Sequence, residues 1–107
     1  MITVLRYVTE SGHEVVTEWL SSLNDRQARA KIEMRFFRIA SGNFGDCKPL
    51  REGVWELRID WGAGYRVYYA KVGDAVVLLL CGGDKRKQDA DIDRAIQHLA
   101  DFRRRIK

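Results

Sequence analysis

The sequence predicts a two-layer α+β domain with the element order β-α-α-β-β-β-α, and three observations carry that prediction. Between Val54 and Cys81 three strand-like segments follow one another, joined by two glycine-bearing turns. Two stretches of helical periodicity precede them, and one amphipathic helix follows them. Neighbouring antiparallel strands with helices packed over one face make such a domain. A chain of 107 residues has room for a single core, so residues 1–107 are read as one domain built on a mainly antiparallel four-stranded sheet, with a helical hairpin and a C-terminal helix.

The first element, Ile2 to Val8, is rich in β-branched and aromatic residues and reads as a strand. Ser11-Gly12-His13-Glu14 has the S-x-x-E form of a capping box, so a helix is expected to begin there. Its apolar stripe is Val15, Val16, Trp19, Leu20 and Leu23, and it ends near Asn24-Asp25. A second helix follows at once, with Ala28, Ile32, Phe36 and Ile39 as its buried stripe and Arg26, Arg29, Lys31, Arg35 and Arg38 over the remainder. Ser41-Gly42 supplies a stop. Asn43 to Gly53, with Gly45, Pro49 and Gly53, reads as irregular. In the next segment Trp55, Leu57 and Ile59 face one way and Glu56, Arg58 and Asp60 the other, because side chains alternate along a strand. Tyr65, Val67 and Tyr69 separate in the same way from Arg66 and Tyr68, so an antiparallel hairpin brings Arg58, Arg66 and Tyr68 to a common surface. Ala75 to Cys81 is apolar throughout, the pattern of a strand covered on both sides, and it empties into Gly82-Gly83-Asp84 and then Lys85, Arg86 and Lys87. In the last helix Ile92, Ala95, Ile96, Leu99, Phe102 and Ile106 share the face that must be buried.

Composition narrows the function classes. A hydrophobic content of 46% with one proline and three tryptophans is that of a folded globule. The N-terminus lacks the apolar core of a signal peptide and the longest apolar run falls far short of a bilayer span, so no membrane association and a cytoplasmic location are expected. Cys47 and Cys81 have neither metal-ligand spacing nor the density of a disulfide scaffold, and neither metal nor cofactor is expected. The net charge of +4 is unevenly placed: residues 85–107 hold eight Lys or Arg against four Asp, which leaves the first 84 residues formally neutral. Basic charge gathered at the end of a sheet and along one helix suits an anionic partner, either nucleic acid or an acidic protein.

The run ELR, then GYRVYY, then an apolar strand closing in CGGDK with a following Gln resembles the addiction-module killer proteins, the HigB-like branch of the RelE/ParE toxin superfamily. The likeness in length and element order extends over nearly the whole chain; the specific motif lies within residues 54–88. The resemblance implies a RelE-like fold and the toxin of a type II toxin–antitoxin system. Its partners would be a cognate antitoxin, a small helix-turn-helix protein, and messenger RNA cut on the ribosome without a metal.

Cleavage of that kind has the ribose 2′-hydroxyl attack the adjacent phosphorus, and negative charge grows on the non-bridging oxygens. Arginine suits this transition state because its planar fork binds two phosphate oxygens and stays ionised. The resemblance maps a functional arginine of RelE-like toxins onto Arg66. It places a basic residue at Arg58, which would hold a flanking phosphate, and a further one at Lys85 and Arg86, aiding the departing oxygen, with Lys87 as a neighbour. Glu56 stands where RelE has lysine, and no tyrosine follows in the final helix. Glu56 is therefore either a general base or a counter-ion orienting Arg58 or Arg66. Tyr68 either stacks on a base, hydrogen-bonds a phosphate, or simply packs. His13, His98, Trp19, Trp55 and Trp61 read as structural, with Trp61 the one whose turn could leave it exposed. Two other functions share the superfamily fold: a ParE-like DNA gyrase inhibitor, and a non-catalytic module that binds nucleic acid or antitoxin.

Overall fold

The computed structural model describes residues 1–106; Lys107, counted above in the basic tail, lies outside the described residues. The chain runs β1 (Thr3–Arg6), α1 (Val15–Ser22), α2 (Arg26–Ala40), β2 (Cys47–Pro49), β3 (Trp55–Ile59), β4 (Tyr65–Gly73), β5 (Val76–Asp84), a 3₁₀ turn (Lys85–Lys87) and α3 (Gln88–Arg105). The sheet order is β1-β5-β4-β3-β2, antiparallel except where β1 runs parallel to β5. The α+β class, the order of the expected elements and the C-terminal helix are as the sequence predicts.

Three details differ. A fifth strand, β2, pairs with the outer edge of β3 inside the segment read as irregular. It is three residues long and carries Pro49, so it has no alternation to read, and proline is tolerated at an edge. The helices also lie on both faces of the sheet. Val16, Leu20, Ile32, Phe36 and Ile39 of the hairpin pack on Leu57, Val67, Tyr69 and Leu79, while Ala95 and Leu99 of α3 pack on Tyr68, Ala70, Leu78 and Leu80. The layers are therefore helix, sheet, helix, as the two-sided burial of β4 and β5 requires. Lastly, α1 begins at Val15 instead of at the capping box. Thr9 to His13 closes as a turn with Gly12 at φ +91°, and Glu14 bridges back to Val8.

One irregularity positions the C-terminal end of β5. Tyr68 pairs with Cys81 but Tyr69 pairs with Leu79, so Leu80 is an extra residue, a β-bulge in β5. Leu80 and Cys81 both join the α3-side core in consequence. Gly82 then turns toward the hairpin, where an added Cβ would lie 2.4 Å from the Trp19 ring, and Gly83 turns toward α3. No helix among the described residues is long and apolar enough to cross a membrane.

Candidate functional site

The β3–β4 register sets Arg58 directly opposite Arg66, and Arg66 is in turn opposite Gly83 of β5. Like charges facing each other across a ladder are destabilising, so their juxtaposition calls for a counter-ion. Glu56, two residues along β3, supplies it from below. Its carboxylate is 2% exposed, with Oε1 3.7 Å from Arg66 Nε and Oε2 3.9 Å from Arg58 Nε. Those separations are electrostatic contacts rather than hydrogen bonds. The hydrogen bond to Glu56 comes from Gln88 Nε2 at 3.1 Å, from the first residue of α3.

Arg66 is 15% exposed; its Nη1 donates to the Tyr65 carbonyl at 3.2 Å, and its Nε has no hydrogen-bond partner among the described residues. Arg58 is 40% exposed and is held by Asp46, whose Oδ1 accepts from Nε at 3.3 Å and Nη2 at 3.0 Å. Lys85 arrives from the end of β5 and passes Gly64, where an added Cβ would lie 3.2 Å from Lys85 Cδ and 3.6 Å from Arg66 Nη1. Gly64 also sits at φ +78°, so the turn needs glycine for both conformation and space. Arg58, Arg66 and Lys85 thus line one open cleft of about 320 Å³, together with Asp46, Asp60 and Gly64. Lys85 also borders a second, adjoining hollow whose walls include Arg86, Lys87 and Gln88.

The expected residues do not all converge. Arg86 folds back on Asp84, with Nη2 2.8 Å from Oδ2 and its backbone N–H donating to Oδ1 at 2.9 Å. That pairing holds the Asp84 carboxyl below its ordinary range. Lys87 is exposed on the second hollow. Tyr68 shares the face of Arg58 and Arg66 but is fully buried in the α3-side core, so of the roles read for it only packing is left, and its ring does not reach a nucleotide as expected for an RNA-binding residue. Burial raises the Tyr68 hydroxyl well above the usual tyrosine range, and the hydroxyl lacks a partner among the described residues. Glu56 is buried, accepts from Gln88 at the start of the same helix, and lies within 3.9 Å of both arginines.

Not named as site residues from the sequence are Asp46, Gly64 and Asp60 on the cleft wall, although alternation put Asp60 on the face of Arg58, and Asp91 behind it. Asp91 is buried on α3 over Gly83, its Oδ2 unpartnered among the described residues and its carboxyl raised above the usual range by desolvation. The two histidines lie elsewhere: His98 stacks on Tyr7 at 4.5 Å and His13 pairs with Glu18. Trp61 is half-buried, donating to Asp25 with Lys31 over its ring. Cys81 is buried, its thiol pushed up to about 11 and donating to the Asp91 carbonyl.

Comparison with known proteins gives the family. A family model described as phage derived protein Gp49-like (DUF891) matches residues 18–103, which takes in every cleft residue. The chain is also 53% identical over 77 residues to an uncharacterised protein of Haemophilus influenzae, a stretch covering 72% of this chain and 78% of that protein.

Proposed function

The chain belongs to the Gp49-like family of phage-derived proteins, a RelE/HigB-type toxin family of toxin–antitoxin systems, and from that premise we propose that it is a HigB-like messenger RNA endoribonuclease acting on the ribosome in the cytoplasm. The observation that carries this reading is the meeting of Arg58, Arg66 and Lys85 in one open cleft at the end of the sheet. A single-stranded backbone laid along the cleft and the adjoining hollow meets cations spaced along its path.

The chemistry follows from the cations. The 2′-oxygen attacks the adjacent phosphorus, the bond from phosphorus to the 5′-oxygen breaks, and a 2′,3′-cyclic phosphate is left. Arg66, held by Glu56 and the Tyr65 carbonyl, is the more buried fork for the non-bridging oxygens, and preorganised donors of this kind stabilise the charge as it develops. Arg58 takes the flanking phosphate when Asp46 releases it. Lys85, at the open side, faces the departing 5′-oxygen. Asp46 and Asp60 are the carboxylates on the cleft wall able to accept the 2′-hydroxyl proton. Glu56 positions the arginines from underneath. The family implies an antitoxin partner, which we take to be a small helix-turn-helix protein.

Induction in a host, followed by transcript mapping, tests the reading. New RNA ends with intact chromosomes are expected, and folded Arg66→Ala and Lys85→Ala variants should each lose cleavage by about 10²-fold or more. Chromosome damage with intact transcripts would establish gyrase inhibition instead. Wild-type cleavage by both variants would remove the cleft from the mechanism.

A further inference from the structure

Helix α2 carries two apolar stripes, and among the described residues only one has a partner. Ala28, Ile32, Phe36 and Ile39 are buried against the sheet. On the opposite side Ala30, Met34 and Phe37 stand in line at spacings of four and three residues, all open to solvent, Met34 by 51% and Phe37 by 74%. A groove of about 410 Å³ runs beside Ala30 and Met34, between Lys31 and Arg38 of the helix and Ile59 and Asp60 at the end of β3, with Phe37 outside its lining. The helix holds five cations and one carboxylate, Glu33, which is taken by Arg6 of β1. Among the described residues Arg26, Arg29, Lys31 and Arg38 have no carboxylate within ion-pair distance. Arg35, the fifth, is spent on the carbonyls of Arg58, Phe44 and Asp46.

We infer that this outward face of α2 docks an amphipathic helix of a protein partner, one whose apolar stripe lies on Ala30, Met34 and Phe37 and whose flanks are acidic. An exposed apolar line rimmed by cations that have no carboxylate partner among the described residues, with Lys31 resting on the Trp61 ring, has the shape and sign for such a helix laid along it. A second copy of this chain fits poorly, because it would set the same cation-rich helix against itself. Nucleic acid would use the cations but leave Met34 without a role. The inference rests on the toxin reading only in identifying the partner as the antitoxin. The groove and the RNA cleft share Asp60, so a helix seated here reaches the rim of the cleft without entering it.

The probe is a stapled, fluorescein-labelled helical peptide of about 18 residues, with leucine at every third or fourth position and glutamate on both flanks. Fluorescence anisotropy should show binding that is weakened about tenfold or more by Phe37→Asp and by Met34→Asp and is reduced by Lys31→Glu with Arg38→Glu. Arg66→Ala should leave it unchanged. Both apolar positions are exposed, so the substitutions leave the core intact, and circular dichroism checks this. A peptide carrying lysine in place of glutamate should not bind. Failure of the acidic peptide to bind, or equal binding by Phe37→Asp, overturns the inference. So does affinity of this face for a single-stranded RNA oligomer in preference to the peptide, or a wild-type dimer in sedimentation that Phe37→Asp dissolves. No readout uses growth arrest or RNA cleavage, so the docking face and the toxin reading fail separately.

Discussion

Asp91 lays a carboxyl oxygen where a side chain at position 83 would begin: an added Cβ on Gly83 would sit 2.0 Å from Asp91 Oδ2. Gly83 is also the ladder partner of Arg66, so crowding here is felt at the site. Gly83→Ala should therefore destabilise the protein by about 1–3 kcal/mol, the range for overpacking a filled interior. Asp91→Ala removes the obstacle, and the double variant should recover most of the loss in chemical denaturation. Additive losses in that cycle would show that the two residues do not oppose each other. The same scale shows how much of the site was legible. Strand alternation and a hairpin register put Arg58 and Arg66 on one face and the end of an apolar strand brings Lys85 after it, while the resemblance to RelE-like toxins is what marks these three as site residues. Alternation gives the face of a strand and not its depth, which is why Tyr68 shares the face of the arginines yet lies beneath α3. Asp46 and Gly64 come from turns, where no period marks which residue points inward, so Asp46 goes unmarked and Gly64 reads only as the first residue of the GYRVYY run.

Among the elements, α2 is the one whose ends and buried face are most plainly written. Its N-cap is Asp25, whose Oδ1 accepts from the backbone N–H groups of Gln27 at 2.9 Å and Ala28 at 3.1 Å, while Oδ2 accepts from Trp61 Nε1 at 3.1 Å. The Ala28 and Trp61 bonds hold the carboxyl below its ordinary value of 3.8. A depressed folded-state pKa means that the stabilisation is present above the unfolded value and is lost as pH falls through the folded one. Asp25→Ala should lower the melting temperature by about 5 °C at neutral pH, and the gap from wild type should shrink on acidification below about pH 4. A gap that stays constant to low pH would mean the carboxylate is not the cap. Other elements were less legible for stated reasons. The capping box before α1 is spent on a turn that returns the chain to Val8, and β2 exists only because β3 offers it an edge. The bulge at Leu80 breaks no sequence rule, since its neighbours are all apolar.

Across the whole molecule, cations are distributed over the cleft, the adjoining hollow and the outer face of α2, but they are not equally free. Asp46 holds Arg58, Asp84 holds Arg86, and Glu56 shares its charge between Arg58 and Arg66, whereas Lys85 stands exposed where cleft and hollow meet. A cation already paired inside the protein neutralises a phosphate only by giving up its carboxylate, so net charge overstates the electrostatic pull on RNA. Binding of a cleavage-resistant 2′-O-methyl oligonucleotide should fall linearly in log Kd against log salt, with about 0.7 of slope for each phosphate contact on a single strand. Lys85→Ala should remove close to one contact from that slope, and Arg86→Ala distinctly less. Asp46→Asn should strengthen binding and steepen the slope, because it frees the Arg58 fork without adding a charge of its own. Phe37→Asp on the far helix face should weaken binding only through its long-range charge, an effect that disappears above about 0.1 M salt. A slope indifferent to Lys85 and Asp46 but sensitive to Lys31 and Arg38 would move the RNA from the cleft to α2, and would leave the arginine pair with no phosphate to hold.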